Sequence, residues 1–231
     1  MRFPSPVTTR RRFLGGFGAA ALLGPARAED ATPTTATEGT LVAQPFYGPH
    51  QAGIVTPQPA AALYVAFDVL AERRGELPHL FRTLTERLAF LTRGGAVPDL
   101  HLQMPPRDSG ILGPTVLPDN LTATVSVGAS LFDYRFGLAR ARPRHLGPME
   151  RFPNDALDPA QCHGDLLIQF CSNTAETNIH ALRDVIKATP GLLTPRWKIE
   201  GFLPPHVVKT MGADTVRNML GFKDGTANLD V

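Results

Sequence analysis

Between Gly221 and Gly225 the chain reads Gly-Phe-Lys-Asp-Gly, and Asp224 is the residue there that could do chemistry. A carboxylate is an acid–base group, and flanking glycines allow the backbone to approach a ligand closely because no side chain intervenes. The same five residues also make an ordinary turn, since Asp and Gly are favoured turn residues. On the motif alone both readings stay open. The answer depends on what the rest of the chain can build around it.

The start of the chain is not part of that frame. Residues 1–28 hold an arginine cluster (Arg10, Arg11, Arg12), an apolar run from Phe13 to Gly24 and a small-residue site, Ala26-Arg27-Ala28. This is the layout of an export signal. The run is shorter than the roughly 20 residues that a membrane span needs. "TRRRFLGG" fits a twin-arginine signal, which predicts export to the periplasm through the twin-arginine translocase. Proteins taking that route cross already folded, often with a cofactor in place.

The signal also holds five arginines and no acids. The remainder has 18 basic and 21 acidic side chains, so the formal net charge moves from +2 to −3. No basic footprint for nucleic acid is left. Cys162 and Cys171 enclose "HGDLLIQF", which reads as a strand. Nine extended steps would set them about 30 Å apart, against the roughly 7 Å between Cα atoms that a disulfide tolerates. Two free thiols are expected. Without C-x-x-C-H, a covalently attached haem is excluded.

Residues 29–44 are small, polar and threonine-rich, and read as a flexible leader. The folded domain is expected over 45–220, with 221–231 forming the closing loop. "ALYVAFDVL" (62–70) is a strand by its β-branched and aromatic content. Leu77, Leu80, Phe81, Leu84, Leu88 and Leu91 recur at helical spacing, and Gly94-Gly95 stops that helix. Pro, Gly and Asp mark 95–120 as a loop. "LTATVSVGA" (121–129) alternates, with Leu121, Ala123, Val125 and Val127 on one face and Thr122, Thr124 and Ser126 on the other.

A second long loop, rich in proline and arginine, runs from Phe136 to Pro159. "DLLIQFCS" (165–172) is the third strand. Asn173 and Glu176 stand at capping-box spacing before a helix that buries Ile179, Leu182, Val185 and Ile186. "RWKIEGFL" (196–203) is the fourth strand. The order β-α-β-β-α-β predicts an α+β, ferredoxin-like fold with an antiparallel sheet, both helices on one face and the other face free.

Four stretches taken together resemble one family: "RNMLGFKDGTAN", "PFYGPHQAGIVTPQP" (45–59), "HGDLLIQF" and the twin-arginine signal. The chain looks like a dye-decolourising haem peroxidase of the exported deferrochelatase/peroxidase branch, associated with bacterial iron uptake. The resemblance implies two ferredoxin-like domains in tandem, with haem b held noncovalently between them. It makes Asp224 the catalytic group on the distal side of the haem, and Gly225, Thr226 and Ala227 cofactor-binding. An aspartate with a reference pKa of about 3.9 stays ionised at mildly acidic pH and can take and return a proton as peroxide is split, so an acidic optimum is expected. Lys223 could face a propionate, although solvation is its expected role.

The family's proximal histidine and distal arginine belong to its second domain, and no residue of this chain matches either. The iron ligand is expected beyond Val231, and the sequence reads as the N-terminal portion of a longer protein. His50 is expected to be structural, His163 to cap a strand, His180 to be exposed beside the apolar stripe of the second helix, and Arg217 to lie at the surface or a hinge. Expected partners are hydrogen peroxide, a bulky aromatic or porphyrin substrate, components of an iron-uptake system and a second copy of the chain. The other function considered is a non-catalytic haem- or iron-binding module.

Overall fold

A computed structural model describes residues 38–97, 106, 108–203 and 218–222. Four strands and two helices carry the fold: β1 (Ala61–Val69), α1 (Leu77–Arg93), β2 (Thr122–Val127), β3 (Leu166–Ser172), α2 (Ala175–Ala188) and β4 (Leu193–Phe202). The sheet order is β2-β3-β1-β4, and every neighbouring pair is antiparallel. This is the ferredoxin-like arrangement expected from the element order. Among the described residues no helix is long and apolar enough to cross a membrane.

Alternation builds the core. In β1, Leu63, Val65, Phe67 and Val69 point to one face, joined there by Leu166, Ile168 and Phe170 of β3. Leu80, Leu84, Leu88 and Leu91 of α1 and Ala181 and Val185 of α2 close over them, all within one buried cluster. The helices are also joined by charge. Arg87 Nε and Nη2 donate to Asp184 Oδ1 and Oδ2 at 2.8 and 2.6 Å, a bidentate pair in which Asp184 is almost wholly buried.

Five local expectations need correction. His180 is 1% exposed, not a surface residue: its Nε2 lies 2.6 Å from Asp108 Oδ2, and Lys187 Nζ holds the same loop by donating to the carbonyls of Pro106 and Asp108. Ile179, expected in the core, is instead 39% exposed.

The α2 N-terminus is not closed by an Asn173–Glu176 box. Thr174 is the N-cap residue, and Asp119 Oδ2, from the loop before β2, accepts from Thr174 N, Thr174 Oγ1 and Thr177 Oγ1 at 2.7–3.0 Å. Thr122, set on the outer face by alternation, is nonetheless buried, while Val127 at the strand's other end is exposed. Finally, β4 starts at Leu193 rather than Arg196, passing Pro195 at a bulge opposite Ala66 and Phe67. An edge strand tolerates a proline there because no neighbour needs its missing N–H.

Candidate functional site

Asp224, Gly225, Thr226 and Ala227 lie outside the described residues, as does Arg217. What is described is the turn that leads into them. Asn218 organises it: its backbone N donates to Phe222 O at 2.9 Å, its carbonyl accepts from Gly221 N at 2.9 Å, and its side-chain Oδ1 accepts from Leu220 N and Phe222 N. Gly221 has φ +84°, a left-handed conformation that costs glycine nothing. The turn leaves Met219, Leu220 and Phe222 exposed.

The sheet face away from the helices is the other candidate surface. Register places Ala62, Tyr64 and Ala66 of β1 beside Gly201, Ile199 and Trp197 of β4, and beside Cys171, Gln169 and Leu167 of β3. Small residues alternate here with aromatic and aliphatic ones, and Ile199 is 60% exposed. The family-like stretch at residues 48–54 borders this face on the β2 side. Gln51 Nε2 donates to Val125 O at 3.0 Å and Gln51 Oε1 accepts from Val125 N at 2.9 Å, so one side-chain amide satisfies both backbone groups of an edge residue. Thr124 Oγ1 donates to Ala52 O at 2.7 Å. His50 stands exposed in the same loop.

The long connection between β2 and β3 is anchored at the opposite end of the face. Arg135 Nη2 donates to Asp165 Oδ1 at 2.8 Å, Arg135 Nε to Asp133 Oδ2 at 2.7 Å and Arg135 Nη1 to Val69 O at 3.2 Å. Burial pushes the Asp165 carboxyl up, but hydrogen bonds from Arg135, Ser130 and Val69 outweigh it and hold its pKa below the ordinary value. The bulge in β4 turns Arg196 toward this connection, where its Nε and Nη2 donate to Cys162 O and Pro159 O at 3.0 and 2.9 Å. Trp197 Nε1 donates to His163 O at 2.7 Å. His163 therefore anchors a turn through its carbonyl, with φ +59°.

Both cysteines are free: Cys171 is buried in β3, and Cys162 is partly exposed in the connection. Of the described histidines, only His180 is buried; His50, His79, His145 and His163 are exposed. Among the described residues no group of three His, Cys, Asp or Glu side chains could hold a metal ion.

Residues 51–203 match the family model for the N-terminal part of Dyp-type peroxidases. The chain belongs to the Dyp-type peroxidase family. Within it, the chain is 57% identical over 229 residues to a deferrochelatase of Escherichia coli K12 and 58% identical to one of Shigella sonnei, covering 96% of this chain and 54% of each relative. It thus spans about half the length of the curated relatives it matches.

Solved Dyp-type peroxidases share the fold. One from Cellulomonas bogoriensis is 35% identical with a TM-score of 0.69, covering 84% of this chain and 51% of that one. DtpA from Streptomyces lividans, in an oxyferrous complex, is 31% identical with a TM-score of 0.68, covering 85% and 52%. The Dyp-type match begins at Gln51, the residue that seals the β2 edge, and ends one residue past β4. Gln51, Arg135, Asp165 and Arg196 are positioning residues that sequence reasoning passed over. Their partners lie 74, 30 and 34 residues away, too far for local spacing to signal.

Proposed function

We propose that this chain is the N-terminal half of an exported, haem b-dependent peroxidase that reduces hydrogen peroxide and oxidises bulky aromatic or porphyrin substrates, with release of iron from haem as its role in iron uptake. The observation that carries this reading is the 57–58% identity, over nearly the whole chain, to proteins named deferrochelatase. The named relatives' activity is transferred here to a chain about half their length, so it is a proposal for the complete gene product.

The described residues suit one wall of a haem site. The Tyr64–Ile199–Trp197 side of the sheet, with Ala62, Ala66 and Gly201 between, is a mainly apolar surface of alternating large and small side chains. The turn at Asn218–Phe222 leaves Met219, Leu220 and Phe222 exposed. Apolar walls with few polar groups are what a large, flat, mostly apolar cofactor requires. Haem, when bound noncovalently, supplies the redox-active iron at which peroxide is reduced. Gly225, Thr226 and Ala227 are the residues that would lie against it.

Asp224 is the proton carrier in this reading. Its carboxylate takes the proton from one peroxide oxygen and returns it to the departing one, acting first as base and then as acid. The twin-arginine motif supports a periplasmic location and export after folding.

The test is to load the complete gene product with haem and measure peroxide-driven dye oxidation before and after Asp224→Asn. A fall of about 10²–10⁴-fold with haem still bound is expected for loss of a general acid–base group. Turnover indifferent to the substitution removes Asp224 from this role. Bound haem without turnover in the unsubstituted protein would favour a non-catalytic haem-binding module.

A further inference from the structure

The connection between β2 and β3 concentrates positive charge that the fold does not use. Residues 134–149 hold Arg135, Arg140, Arg142 and Arg144 and no acid, while the other residues beyond 28 hold 14 basic and 21 acidic side chains, a net −7. Arg135 is paired with Asp133 and Asp165. Arg140, Arg142 and Arg144 are exposed, and none of them forms an ion pair among the described residues. Three free guanidinium groups thus stand within five residues.

The segment that carries them is fastened at both ends. Arg135 ties its start to Asp165, and at the far end Arg196 holds Cys162 and Pro159 while Trp197 holds His163. Short turns set its path between, with Ala141 N donating to Leu138 O at 2.8 Å and Leu146 N to Pro143 O at 3.1 Å. Arg142, Leu146 and Pro148 line one groove, which adjoins a second, lined by Met149, at Gly147 and His163. The cations therefore share a surface with apolar side chains. Met149 is 70% exposed, and Phe152, three positions on, is 56% exposed. Glu150 and Asp155 line the second groove, which confines the cationic part of this surface to the Arg140–Arg144 side.

Free cations beside exposed apolar side chains, on a chain otherwise negative, suit a partner that is anionic outside and apolar beneath. A phospholipid leaflet with anionic headgroups is such a partner. Each arginine at its surface gains about fivefold in affinity, and apolar side chains gain by entering the headgroup boundary. The negative remainder is repelled, so the protein approaches with this connection foremost. An acidic protein would satisfy the arginines but gives Met149 and Phe152 no role.

We propose that Arg140, Arg142 and Arg144, with Met149 and Phe152, form a docking surface by which the protein attaches reversibly to an anionic phospholipid membrane. The choice of a lipid leaflet rests in part on the export proposed above, which sets the protein beside one.

The test uses the complete gene product without residues 1–28, whose own arginines would bind anionic lipid, and vesicles of phosphatidylglycerol and phosphatidylcholine in equal parts. Co-sedimentation should show binding at low ionic strength, its loss as salt screens the charges, and none to phosphatidylcholine alone. Arg140→Gln, Arg142→Gln and Arg144→Gln combined should weaken binding about 100-fold. Arg74→Gln, Arg82→Gln and Arg183→Gln remove the same charge from exposed positions elsewhere and should weaken it far less. Met149→Ser with Phe152→Ser should weaken vesicle binding about tenfold and leave binding of poly-glutamate unchanged.

No binding at low ionic strength, equal binding to phosphatidylcholine, or equal losses in the two triple variants overturns the docking surface. Vesicle binding indifferent to the Met149 and Phe152 substitutions also overturns it, assigning the arginines to an acidic polypeptide. If the gene product stays inside the cell, the proposed export falls, while vesicle binding through these three arginines and the two apolar side chains would still uphold this surface.

Discussion

Arg135 and Asp165 hold together the two ends of a connection nearly forty residues long. Arg135 reaches Asp165 Oδ1, while Asp165 Oδ2 accepts from Val69 N at 2.9 Å and Asp165 N donates to Phe67 O at 2.8 Å. One carboxylate thus ties the start of the connection to the first residues of β3 and the last of β1. Asp165→Asn should destabilise the protein by about 2–3 kcal/mol at neutral pH, the usual scale for hydrogen bonds to a charged group. The sign of its pH dependence is fixed. A carboxyl with a lowered folded pKa contributes stability above its unfolded value, near 3.9, and loses it as pH falls through the folded value. Urea unfolding at pH 7 should separate the variant from the parent, and the gap should begin to narrow below about pH 4 and close as pH falls past the lowered folded value. A gap that persists at low pH would exclude the charge as its source.

The Arg87–Asp184 pair predicts a different mutational pattern. Arg87→Met alone leaves the buried Asp184 carboxylate without its partner and should cost about 3–5 kcal/mol. Arg87→Met with Asp184→Leu removes both charges and should recover most of that loss. A double-mutant cycle read by thermal unfolding checks it, and additive losses would refute the pairing argument.

Gly128 predicts a purely steric effect. Its φ is −89°, open to any residue, but a Cβ there would lie 1.9 Å from the carbonyl oxygen of Gly164. Gly128→Ala must push two backbone segments apart and should destabilise by about 1–3 kcal/mol, in line with overpacking. Gly147→Ala, in the same connection with nothing within 4 Å of its added Cβ, should be close to neutral. Comparing the two unfolding midpoints separates crowding from a general loss of glycine.

The thiols give a chemical prediction. Burial pushes the Cys171 thiol above its ordinary pKa, while Cys162 is partly exposed. A thiol reagent at pH 8 should label one cysteine of this chain in the native state and both in denaturant, because the thiolate is the reactive form. Intact mass without reductant should show no loss of two hydrogens. Equal native labelling of both residues would contradict the buried position of Cys171.

Most of the frame was legible because its signals are local. The β-branched and aromatic content of "ALYVAFDVL", the leucine period of α1 and the apolar run of β3 each act over a few residues, and all three elements appear where those patterns put them. Two of the misreadings, His180 and the start of α2, share one physical cause, a partner distant in sequence. His180 is buried by Asp108, 72 residues earlier, so nothing beside it on α2 could announce that. The start of β4 is hidden by Pro195, acceptable only because the strand is an edge. Asp224 is read only from its motif and the family resemblance, and it lies outside the described residues.

The way α2 begins also bears on the order of folding. Thr174 and Thr177 find their acceptor in Asp119, which arrives from 55 and 58 positions upstream. Nucleating a helix is costly, and this first turn draws its help from a contact whose loop-closure entropy must be met beforehand. The amides at the start of α2 should therefore gain protection from hydrogen exchange together with β2 docking onto β3, as one late cooperative step. If they become protected earlier, α2 forms from its own sequence and Asp119 merely joins it afterwards.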